Sequence, residues 1–65
     1  MNDLKLSLEA IRVNMNVDRK EMAALLNVKL DRYNRLASGE SKMYAVELIR
    51  LHEISGVAYE LIDVQ

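Results

Sequence analysis

Apolar residues recur every three or four positions along most of the chain, and no alternation of apolar and polar residues persists as it would in a strand. Leu8, Ile11 and Met15 fall on one face of a first helix, predicted from about Ser7 to Met15, with Ser7 as N-cap and Asn14 and Asn16 bracketing its end. Asp18-Arg19-Lys20-Glu21 then places a capping acid three residues before a glutamate, the spacing of a capping box. Met22, Ala23 and Leu26 form the inward stripe of this second helix, and Asn27 is suited to end it in the left-handed conformation. The third helix is predicted over roughly Leu30 to Ala37, closed by Ser38-Gly39, with Tyr33 and Leu36 inward and Arg32 and Arg35 outward. A fourth runs from about Tyr44 to Ile54 and stops at Gly56, and a short fifth element, Tyr59 to Asp63, returns Leu61 or Ile62 to the core. The expected fold is all-α: a compact bundle of about five short helices forming one domain over residues 1–65. Its expected core is Ile11, Met22, Ala23, Leu26, Val28, Tyr33, Leu36, Leu48, Leu51 and Leu61.

Composition narrows the function classes. With 65 residues and no cysteine, the fold has neither disulfides nor thiolate metal sites to brace it, which leaves dense helix packing, alone or with self-association, to carry its stability. The single histidine, His52, reads as a satisfied or surface residue, and Met15, Met22 and Met43 read as core or interface filler. No cofactor is implied, and an enzyme is not expected, because dedicated catalytic motifs are absent and the chain is short for enclosing a substrate. No apolar run reaches the ~18 residues of a membrane span. Met1-Asn2-Asp3-Leu4-Lys5 lacks the basic-then-apolar pattern of an export signal, so a cytoplasmic location is expected. The net charge is −1, but it is unevenly spread. Residues 12–42 hold seven basic residues (Arg12, Arg19, Lys20, Lys29, Arg32, Arg35, Lys42) against four acids, whereas residues 43–65 hold Arg50 against four acids. A basic middle suits phosphate on one face.

The most informative stretch runs from Met22 to Leu36. Two helices that cross steeply through a short turn need a small residue at their contact, a turn-tolerant residue between them and an apolar plug after it. Ala23, Asn27 and Val28 meet these needs, with Tyr33 and Leu36 holding the second helix against the first. Residues from Lys29 to Arg35 are left outward, as in a helix that enters a major groove.

On these residues the chain resembles the lambda-repressor/Cro-like helix-turn-helix family, from about Ile11 to Ile62. Asp18-Arg19-Lys20-Glu21-Met22-Ala23 is similar to that family's Thr-Gln-x-Glu-Leu-Ala start of helix two, Ser38-Gly39 to its Asn-Gly, and Gly56-Val57 to the Gly-Val before its last helix. The departures are Arg19 for a glutamine that often contacts phosphate, Asn27 for the turn glycine, Lys29 for a Ser or Thr cap, and Met43 for a proline. The resemblance implies a sequence-specific DNA-binding transcriptional regulator with the helix at about 30–37 in the major groove. It would bind double-stranded DNA as a dimer, like the small Cro-type members of phage and mobile elements. The implied DNA-contacting set is Arg19, Lys20, Lys29, Leu30, Asp31, Arg32, Asn34, Arg35 and Lys42. Asp31 fits this set only by accepting from a cytosine amino group, since an acid otherwise opposes phosphate. The alternative is the same fold used as a protein-binding module, an antirepressor or modulator of a second regulator. Asp31 and the apolar residues Leu25, Leu30 and Met43, expected to be exposed, favour that alternative.

Overall fold

The computed structural model describes residues 5–63. It is a compact all-helical fold of four α-helices: α1 (Leu8–Met15), α2 (Arg19–Leu26), α3 (Leu30–Ser38) and α4 (Ala45–Ser55). The segment after α4 forms a 3-10 turn, Tyr59–Leu61, in place of a fifth α-helix.

Local chemistry sets the helix boundaries. Ser7 caps α1 by accepting from the Ala10 N–H at 3.1 Å, and Asp18 caps α2 by accepting from the Glu21 N–H at 2.7 Å. Asn16 and Asn27, both at φ 62°, end α1 and α2 in the left-handed region, and Gly39 and Gly56 end α3 and α4 in the same way. Lys29, the N-cap of α3, makes no side-chain capping bond, as expected for a residue that only donates.

The core gathers Leu8, Ile11, Met22, Ala23, Leu26, Tyr33, Leu36, Leu51 and Ile62. Val28 and Leu48, expected inside, are half-buried and pack against its edge. Leu61, also expected inside, is 44% exposed, and Ile62 takes its place at 2%. The cause is a change of backbone at Ile62, which leaves the 3-10 turn in an extended conformation. There it forms a single parallel bridge with Leu6, in which the Leu6 N–H donates to Leu61 O and the Asp63 N–H to Leu6 O. Leu25 and Met43 are half-buried against the core, contrary to their expected exposure, whereas Leu30 is exposed.

α2 packs most extensively on α3 and also on α4, while α1 lies against α3. Three residues, Asn27, Val28 and Lys29, connect α2 to α3. The left-handed Asn27 turns the chain out of α2, and the Val28 N–H donates to Ala23 O at 2.9 Å, which closes the turn onto α2.

Candidate nucleic-acid interface

Five of the nine residues singled out in the sequence lie on the exposed part of α3 or at its cap: Lys29, Leu30, Asp31, Asn34 and Arg35. Asp31 and Arg35, one turn apart, form an ion pair at 3.2 Å, with the Asp31 side chain 83% exposed. Lys20 at the start of α2 and Lys42 after α3 are exposed. Among the described residues, Lys20, Lys29 and Lys42 take part in no ion pair.

Arg19, the first residue of α2, is brought directly to α3. Its Nη1 donates to Asn34 Oδ1 at 3.0 Å. Its Nε and Nη2 donate to Glu9 Oε1 on α1 at 3.3 and 3.2 Å. One guanidinium therefore bridges three helices. Glu9 is the centre of this cluster, since it also accepts from Arg12 Nε and Nη2 and from the Tyr33 hydroxyl. Burial opposes the charge on Glu9, but the hydrogen bonds from Arg12, Tyr33 and Arg19 outweigh it and hold the carboxyl below its ordinary range. Tyr33 shifts the other way: its burial, and the carboxylate its hydroxyl faces, push the phenol up.

Arg32 is not on the outward face. It turns toward α4, where Nε and Nη2 donate to the two carboxylate oxygens of Glu47 at 3.0 and 2.9 Å, and Nη2 also donates to Lys42 O. Its guanidinium lies over the Tyr44 ring at 4.5 Å, and its side chain is only 18% exposed. The two arginines are three positions apart, so their side chains diverge by roughly 60° around the helix axis, enough for one to meet α4 and the other solvent. Glu47 is buried and accepts from the Tyr44 N–H at 2.7 Å, which also satisfies the start of α4. The Arg32 hydrogen bonds, supported by that backbone donor, hold the Glu47 carboxyl below its ordinary range against the cost of burial.

Glu9 and Glu47 had not been singled out in the sequence. Glu9 precedes Arg12 by three and Glu47 follows the α4 cap by three, and both spacings were readable. Their cross-helix arginine partners, ten and fifteen positions away, were not. His52 serves architecture: its Nδ1 is 2.7 Å from Val57 O and its ring stacks on Tyr59. The described residues contain no cluster with metal-ligand character and no helix long and apolar enough to cross a membrane. Comparison with known proteins returns no matching family model, no matching curated protein and no matching solved structure.

Proposed function

We propose that the chain is a sequence-specific DNA-binding regulator of transcription that inserts α3 into the major groove and acts as a dimer, without catalytic activity. The observation that carries this reading is the α2–α3 unit, read as a helix-turn-helix. It has a three-residue connection turned by left-handed Asn27, a buried Ala23 on α2, and an exposed α3 face. Such a unit presents a short helix whose outer residues reach base edges while the flanking cations hold the backbone. The resemblance to Cro-like regulators in residue order supports the same reading. Lys20, Lys29 and Lys42 are assigned to phosphates, and Asn34 and Arg35 to bases. Arg32 is left out of the contact set, because Glu47 and Tyr44 already hold it.

The test is titration of the protein against a selected operator and against random duplex DNA over a range of salt. Lys20→Ala should weaken both equally and reduce the salt slope by about one unit. Arg35→Ala should cost about 1–3 kcal/mol on the operator and less on random DNA. Equal losses for Arg35→Ala on both would assign it to the backbone, and no binding of either DNA by the wild-type protein would overturn the reading.

The second reading is a protein-binding module of the same fold, directed at another regulator. One observation favours it: Arg19, Arg32 and Arg35 are each paired with a carboxylate of the chain itself, while Leu30, Val46 and Ile49 are exposed. Neutralised arginines together with apolar residues that face water suit a protein partner.

A further inference from the structure

The orientation of the Asn34 amide follows from its neighbour. A guanidinium has donors and no acceptor, so the group that Arg19 Nη1 meets at 3.0 Å must be the amide oxygen of Asn34, and the amide nitrogen is turned away. Arg19 is held toward Asn34 by its other nitrogens, which donate to Glu9, and Glu9 in turn accepts from Arg12 and from the hydroxyl of the fully buried Tyr33. A chain of hydrogen bonds that starts in the core therefore ends by orienting one exposed amide on α3.

We infer that Asn34, within the DNA-binding reading proposed above, reads an acceptor-bearing base edge, guanine first and thymine second, because Arg19 already occupies its amide oxygen. An asparagine recognises adenine by doing two things at once: its oxygen accepts from the N6 amino group and its nitrogen donates to N7. With one oxygen lone pair engaged and the oxygen side facing a cation, the acceptor half of that pair is disfavoured, and both amide hydrogens remain to donate. Guanine offers two acceptors, N7 and O6, and thymine offers O4. Arg19 is then a positioning residue for specificity, and Glu9 positions Arg19.

The experiment is selection of binding sites from a pool of randomised duplexes by the wild-type protein, Asn34→Ala and Arg19→Ala, with thermal unfolding of each measured in parallel. Asn34 and Arg19 are exposed, so both variants are expected to fold. The wild-type protein should select guanine or thymine at one position, and Asn34→Ala should lose that selection. Arg19→Ala frees the amide and should move the same position toward adenine by about tenfold. A purely architectural Arg19 would change the unfolding temperature and leave base preference where it was. Adenine at the Asn34-dependent position, no position dependent on Asn34, or an unchanged preference in Arg19→Ala would each overturn the inference while DNA binding stands. Absence of any sequence preference in the wild-type protein would overturn the DNA-binding reading and this inference with it.

Discussion

Glu9 and Glu47 carry most of the polar organisation at the level of single residues. Each sits where two or three helices meet, and each collects an arginine from a distant part of the chain. Glu47 is the more buried, and its Arg32 partner keeps a little solvent access. Removing one member of such a pair strands the other, a loss larger than the worth of the pair itself. Glu47→Gln should therefore destabilise the fold by about 2 kcal/mol, below the full penalty of a wholly buried pair because Arg32 can still turn to water. The urea midpoint reports it, and a midpoint equal to wild type would show that the pair is incidental. Acid should act on the same sites. Both carboxyls lie below their ordinary value of 4.5 in the folded protein, so as pH falls the unfolded chain takes up protons first. Their stabilisation is whole above that value and fades as pH drops through it toward the lower folded values. Glu47→Gln should flatten this part of the stability profile.

The elements were legible in the sequence because their boundaries depend on neighbours within a few residues. Ser7, Asp18, Asn16, Asn27, Gly39 and Gly56 act through capping bonds or left-handed backbone, and each marks a boundary in the structure where the sequence places it. The last segment was less legible, because the exchange of Leu61 for Ile62 depends on Leu6, more than fifty positions away. The candidate site divides along the same line. Lys29, Leu30, Asp31, Asn34 and Arg35 are exposed as the helical period of α3 predicts, whereas Arg32 was claimed by a glutamate on another element. Periodicity tells which side of a helix is polar; it does not tell which polar residue has a partner across a groove. Ala23 of α2 is 3% exposed within the core, so a larger side chain there must displace its neighbours. Ala23→Leu should cost about 1–3 kcal/mol by overpacking. A chemical denaturation midpoint unchanged from wild type would show that the space around Ala23 is not tightly filled.

For the whole molecule, a net charge of −1 means that the attraction to DNA proposed above rests on the placement of charge and not on its sum. Intramolecular pairing makes the balance finer still, because among the described residues the ion pairs of Arg12, Arg19, Arg32 and Arg35 leave the lysines at 20, 29 and 42 as the cations of the basic segment without one. Asp31 is the carboxylate on the exposed face of α3, and its ion pair with Arg35 competes with DNA for that guanidinium. Both facts make Asp31 the point at which the two readings separate. In the DNA-binding reading, Asp31→Asn removes a negative charge that faces phosphate and ends the competition for the Arg35 guanidinium. Binding should then tighten several-fold at low salt, and the salt slope should steepen by about one unit as one more counterion is displaced. Asp31 acting as an acceptor for a cytosine amino group would give the opposite sign on the operator, with the loss confined to sites bearing that base. In the protein-binding reading, Asp31 pairs with a basic residue of the partner regulator, so Asp31→Asn weakens that complex, by about 2–5 kcal/mol where the pair is buried. Titration of wild type and Asp31→Asn against operator DNA and against a candidate partner regulator measures all of these. A steeper salt slope with an unaffected protein contact is the expected result. A lost protein contact, with DNA bound by neither form, would leave the fold in place and transfer its function to the protein partner.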